Sequence, residues 1–178
     1  MQKVLLHICC GICACGSVSR LRQEGFEVIG YFYNPNIHPE EEYKKRLEAA
    51  KQTAENMCFE LRFGSYDKDE WLSLTAGFED EPESGLRCQL CYRLRLQQAN
   101  NKSTELGCDY FTTTLSVSPH KDSRVINNTG LEIGAERFLP LDFKKKGGFQ
   151  KANTLAKDYS LYRQNYCGCI YSRNIKLK

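Results

Sequence analysis

Seven of this chain's ten cysteines lie in three short groups, near its beginning, middle and end. The groups are Cys9-Cys10-Gly-Ile-Cys13, Cys88-Gln-Leu-Cys91 and Cys167-Gly-Cys169. A CxxC spacing puts two sulfurs on one side of a turn, and CxC with a central glycine can do the same. Thiols so clustered bind soft metals, so the fold must bring three remote segments together.

An even cysteine count also raises the possibility of a disulfide framework. The small, apolar run over residues 4–14, preceded by Lys3, superficially resembles a secretion signal. It fits poorly: the charged region is one lysine, His7 interrupts the run and three clustered cysteines lie inside it. No other stretch approaches the roughly 20 apolar residues of a membrane span. We therefore expect a reduced, cytoplasmic chain with no membrane partner, in which clustered cysteines serve metal or redox chemistry.

With 178 residues, 41% of them hydrophobic and 26% charged, the chain can bury one core, and disorder is excluded. One domain over residues 1–178 is expected. Residues 3–8 (KVLLHI), 27–33 (EVIGYFY) and 59–63 have strand character, and 108–115 and 138–141 are weaker candidates. Helical patterns follow the first cysteines, carrying Val18, Leu21 and Phe26, and run from Pro39 to about Met57 with Tyr43, Leu47 and Ala50 on one face. Others cover residues 67–75, 85–106, 125–138 and, as final turns, 159–171. The alternation predicts an α/β three-layer sandwich with a mostly parallel sheet. In such folds the site lies beyond the C-terminal strand ends, which puts the loops 9–16, 34–39 and 116–121 at one rim.

Ligand counting separates the chemistries. A structural zinc and a 4Fe-4S cluster each take four protein ligands, so seven thiols suit one four-ligand centre plus a second metal with an open position. Cys58 and Cys108 are read as small core residues, Cys15 as either packing or ligand, and His7 as a core histidine. Tyr31, Phe32 and Tyr33 are expected to be core in part.

The net charge of +3 is uneven: residues 142–178 hold nine Lys or Arg against two Asp, whereas residues 67–83 hold seven acids against one lysine. The basic end suits a polyanion or a solvated face.

Five segments together resemble the QueH family of cobalamin-independent epoxyqueuosine reductases: HICCGIC at 7–13, YFYNPNIHPEEEY at 31–43, RCQLCYRLRL at 87–96, FTTTLSVSPH at 111–120 and LYRQNYCGC at 161–169. Ile12 stands where the family pattern usually has proline, and Cys15 is extra to it. The resemblance implies a nucleotide-hydrolase-like (HUP-like) sandwich with its metal site at the C-terminal strand ends, and the missing Gly-rich phosphate signatures predict no ATP. It also implies reduction of epoxyqueuosine to queuosine at the wobble position of tRNA, supplied by an electron donor. The cofactors implied are a 4Fe-4S cluster and an adjacent mononuclear metal, expected to be iron. The ligands carried over are Cys9, Cys10, Cys88 and Cys91 for the cluster and Cys13, Cys167 and Cys169 for the second metal, a division left open. Asn34, Asn36, Arg163 and Gln164 lie in rim motifs and are candidates for the base or sugar, and Lys144, Lys145 and Lys146 for phosphate. Tyr166, His38, His120 and Asp142 are candidate proton donors. Two other functions compete: a zinc-stabilised RNA-binding module, and a thiol–disulfide oxidoreductase working through Cys88 and Cys91.

Overall fold

The computed structural model describes residues 1–145 and 147–175, the side chains of 173–175 aside. Four parallel strands, β1 (Lys3–Ile8), β2 (Glu27–Phe32), β3 (Glu60–Phe63) and β4 (Tyr110–Thr113), stand in the order β3-β2-β1-β4. Lys3 pairs with Glu27 and Val4 with Tyr110, so β1 is central in the sheet, and helices cover both its faces. That is why KVLLHI reads as a continuous apolar run.

Helices cover both faces. Val4, Leu6 and Ile8 pack with Ala14, Val18 and Leu21 of α1 (Gly11–Gln23) and Tyr43 and Ala50 of α2 (Glu40–Asn56). Leu5, Ile29 and Tyr31 turn the other way, onto Tyr92, Leu96 and Ala99 of α4 (Leu86–Glu105) and Ile126 of α5 (Ser123–Gly134). A short α3 (Lys68–Leu74) buries Trp71 completely. The period-two alternation of Cβ directions along β1 divides the core into these two layers. Tyr31, Phe32 and Tyr33 are all buried, because β2 and the residue after it are covered on both faces of the sheet.

Several expectations need correction. Residues 108–115 are strand only over β4, after which Thr114–Val117 form a 3-10 turn capped by Thr113. Residues 138–141 make one parallel bridge, Phe111 to Phe138, and no strand. Pro39 caps α2 from outside rather than opening it. An unexpected helix, α6 (Gly148–Asp158), packs on α1, while 159–169 is irregular and only α7 (Ile170–Ile175) is helical at the end. Cys58 is exposed, not core, in a left-handed turn (φ 50°) after α2, whereas Cys108 is buried as read. Cys15 packs against Ala156 and Leu161, away from the other groups. No helix among the described residues is long and apolar enough to cross a membrane.

Gly11, between the first thiols, lets α1 touch α2: a Cβ there would lie 2.4 Å from the Ala49 carbonyl oxygen. Gly11→Ala is expected to lower stability by about 1–3 kcal/mol and to displace Cys10 and Cys13 with the helix start. Thermal denaturation checks the first effect, and an unchanged Tm would sink it.

Candidate metal centre

The first thiol group forms where β1 passes into α1. Cys10 is the N-cap, extended at φ −164° and ψ 158°, and its sulfur accepts from the Cys13 amide at 3.4 Å. Three residues on, Cys13 returns to the same side of the first turn, with its Sγ 2.8 Å from that of Cys10. The Cys9 Sγ lies 3.9 Å from that of Cys10, and all three sulfurs fall within 4.8 Å of one another. Thr114 fixes the outer member: its hydroxyl accepts from the Cys9 amide at 3.0 Å and donates to the Cys9 sulfur at 3.2 Å.

Hydrogen bonds from Cys10 and Cys13 draw the Cys9 thiol well below its ordinary range, while the same contacts push Cys13 well above it. Three sulfurs gathered at a helix N-terminus suit a cation, which would draw off their protons. Beside them His7 is fully buried, with Nδ1 2.8 Å from Thr113 Oγ1 and Nε2 3.0 Å from the Tyr33 carbonyl. Burial, then the charge of Arg95, hold its imidazole down to about 3, so it is neutral throughout the ordinary pH range. His7 is thus a core histidine.

The second group has four thiols. Cys88 and Cys91 share one face of the first turns of α4, and the Cys88 sulfur accepts from the Ser84 amide at 3.3 Å. Facing them is the loop Cys167-Gly168-Cys169, where Gly168 takes φ +102° and the Cys169 amide donates to the Cys167 sulfur at 3.4 Å. A hydrogen bond from Cys169 draws the Cys167 thiol down to about 4. The loop is clamped from α2: buried Arg46 donates to the carbonyls of Tyr166 and Cys167, each at 3.0 Å, and pairs with Glu42 at 2.7 Å. Tyr162 donates to the other Glu42 oxygen at 2.7 Å, and the His38 amide donates to the Gly168 carbonyl at 2.8 Å.

Cys88, Cys91, Cys167 and Cys169 line one cavity with Asn36, Trp71, Arg87 and Arg95. Buried atoms of those four neighbours lack a partner: Asn36 Oδ1, Trp71 Nε1, Arg87 Nε and Nη2, and Arg95 Nε. Buried polar atoms are normally paired, and all but the first are donors. An all-sulfur set of four surrounded by unspent N–H groups fits an anionic metal–thiolate group.

A cleft of about 420 Å³ is lined by Cys9 and Cys13 of one group and by Cys167 of the other. Arg163, Gln164, Lys121, His120 and Tyr166 also line it. Of the three loops expected at one rim, 9–16 and 116–121 line this cleft, whereas Asn36 of 34–39 lines the four-thiol cavity; Cys9, Cys13 and Cys167 are the clustered thiols that reach the cleft itself. The thiols are grouped differently from the division favoured on the sequence: Cys9 and Cys10 sit with Cys13, and Cys88 and Cys91 with Cys167 and Cys169.

The other candidates divide. Asn34 is fully buried, its Nδ2 donating to the Ile8 carbonyl at 2.9 Å and its Oδ1 accepting from Arg95 at 2.6 Å, so both ends of the amide act inside the protein. Asn36 lines the four-thiol cavity rather than the open cleft. Lys144 reaches the Lys121 carbonyl at 3.1 Å, Lys145 is exposed, and Lys146 lies outside the described residues. Asp142 accepts from Ser123 and from the Lys144 amide, so its carboxylate braces a turn. His38 packs against Trp71. Tyr166 donates its hydroxyl to the His38 carbonyl. Sequence reasoning missed Arg46, Arg87, Arg95 and Thr114. Arg87 and Arg95 had a signal, standing four residues before and after Cys91 on the same helical face.

The family model described as "Epoxyqueuosine reductase QueH" matches residues 4–175. The chain belongs to the QueH family. Curated relatives called epoxyqueuosine reductase QueH include those of Streptococcus pyogenes serotype M1, 35% identical over 98% of this chain and 71% of the relative, and Histophilus somni, 37% identical over 96% and 72%. That of Thermotoga maritima is 34% identical over 97% of this chain and 91% of its own length. Among solved structures, a predicted tRNA methyltransferase subunit from Methanocaldococcus jannaschii superposes with a TM-score of 0.60, at 14% identity over 88% of this chain and 75% of that one. The U34-tRNA thiolase NcsA from Methanococcus maripaludis, solved with its 4Fe-4S cluster, gives 0.59, at 18% identity over 96% and 61%. These two likenesses establish the HUP-like fold of the QueH chain.

Proposed function

We propose that this chain reduces epoxyqueuosine to queuosine in tRNA. The observation that carries the reading is the pair of thiol groups, one of four and one of three, opening onto one cleft at the C-terminal strand ends. Removing the epoxide oxygen to leave an alkene consumes two electrons and two protons and releases water, so an electron donor is required. Proximity supports Cys88, Cys91, Cys167 and Cys169 as the holders of a 4Fe-4S cluster, and Cys9, Cys10 and Cys13 as those of a mononuclear metal, read as iron. When bound, these groups supply electrons one at a time and a Lewis acid for the oxygen.

The chain's own residues do the rest. Arg163 and Gln164 line the cleft where the base or sugar would enter, and Lys145, with Lys144 and Lys146 beside it in sequence, suits phosphate. His120 reaches the cleft and is the better-placed proton donor, since Asp142 is engaged elsewhere, His38 is buried against Trp71 and the Tyr166 hydroxyl already donates to the His38 carbonyl. Recognition of a modified base by a buried site requires the nucleotide to leave its stack.

The deciding experiment incubates anaerobically reconstituted protein and a chemical reductant with tRNA carrying epoxyqueuosine, then measures nucleoside masses after digestion. Loss of one oxygen is expected, and an unchanged mass with intact cluster would overturn the assignment. Brown protein with acid-labile sulfide is expected on anaerobic purification. Colourless protein with stoichiometric zinc would favour the RNA-binding module instead, and activity that survives iron chelation would favour the thiol–disulfide enzyme. Lys145→Ala is expected to weaken tRNA binding and to lower the slope of log affinity against log salt by about 1, read by filter binding across a salt series. An unaltered slope would remove Lys145 from the interface.

A further inference from the structure

Arg95 stands where the two thiol groups approach each other, and no step of the reaction above uses it. It leaves α4 one turn after Cys91 and is 3% exposed. Its Nη1 lies 4.0 Å from the Cys91 sulfur, its Nη2 donates to Asn34 Oδ1 at 2.6 Å, and its buried Nε has no partner. The same side chain lines both the four-thiol cavity and the cleft that holds Cys9 and Cys13. Its two partners are a neutral amide and a thiol, so its charge is not cancelled by them.

Burying a cation in this way is costly unless negative charge joins it. The sulfurs on either side are the groups placed to provide that charge. Asn34 explains how the arginine is held there: its amide spans from the Ile8 carbonyl, the last residue of β1 before Cys9, to the guanidinium.

We propose that Arg95 is an electrostatic bridge between the two thiol groups, its guanidinium setting how readily the four-thiol centre accepts an electron while Asn34 holds it in position. The inference rests on the iron–sulfur reading of that centre. Reduction adds a negative charge, a nearby fixed cation stabilises the reduced form, and cluster potentials follow net charge and hydrogen bonds to sulfur. Arg95 is therefore a positioning and tuning residue, not one that reacts.

The test compares the reconstituted native protein with Arg95→Gln and Arg95→Lys by anaerobic redox titration, following the cluster by electron paramagnetic resonance, with iron and sulfide content measured alongside. At a fixed ambient potential, Arg95→Gln is expected to lower the reduced-to-oxidised ratio about tenfold, equivalent to about 59 mV for a one-electron couple. Arg95→Lys, which keeps the charge, is expected to recover most of that shift. If Arg95→Gln takes up no cluster, retention of the cluster and of a near-native ratio by Arg95→Lys supports the proposal. Cluster binding with an unchanged ratio in Arg95→Gln overturns it. So does equal damage in both variants, which marks a packing role. Native protein that takes up no cluster overturns the iron–sulfur reading and this inference with it.

Discussion

Cys167→Ser protein, reconstituted anaerobically, is expected to lose its four-iron signal and at least about a hundredfold in turnover, the upper end of what removing a mere supporting residue costs a metal site. Serine keeps the shape of the loop but replaces a soft thiolate with a hard, protonated hydroxyl. The clamp from Arg46 acts through main-chain carbonyls and is untouched, so the fold is expected to persist with its cluster gone. Cys58→Ser is the control, since that thiol is exposed in a turn after α2, and its iron content and turnover should match the native protein. Iron, acid-labile sulfide and product mass measured on the same samples decide the matter. Native iron content in Cys167→Ser, or equal loss in Cys58→Ser, would sink the ligand assignment.

Arg46→Met is expected to be the most destabilising change outside the thiols. It leaves Glu42 as a buried carboxylate with only the Tyr162 hydroxyl opposite it, and it frees the carbonyls of Tyr166 and Cys167. Removing one partner of a buried ion pair costs about 3–5 kcal/mol. In a chain of this size that corresponds to a fall in Tm of roughly 6–20 °C. Because the freed carbonyls flank the CxC sulfurs, the variant should also lose iron to a chelator faster than the native protein. Calorimetry and chelation kinetics measure the two effects, and a native Tm would show that the pair is not structural.

Much of the frame was legible. The apolar runs at 3–8 and 27–33, the helix that follows Pro39 and the rim loops 9–16 and 116–121 follow from period, turn chemistry and the geometry of parallel sheets. Helix α6 was not: its fully buried residues are Ala152 and Ala156, with Leu155 packed beside them, and alanines amid charged and polar residues make a weak apolar stripe. Residues 138–141 look like a strand because Phe138 is core, but one bridge to Phe111 satisfies them.

At the site, the cysteine groups were legible as ligand sets, but their partition in space was not. Short spacing says which sulfurs are neighbours along the chain and nothing about which loop faces which. Asn34 shows the related difficulty for polar residues: its place at the rim suggested substrate, while its amide is engaged by Ile8 and Arg95. Nor does any pattern announce that Arg46, in a helix full of solvated charges, turns inward.

The set of four sulfurs draws on α4 and on a loop far downstream, which has a mechanical consequence. A metal gripping Cys91 and Cys167 together would be a cross-link closing a ring of roughly 76 residues, comparable in unfolded-chain entropy to a disulfide worth about 4 kcal/mol. Stripping the metal should then loosen the C-terminal strap from the body of the protein, opening it to proteases before the sheet itself gives way.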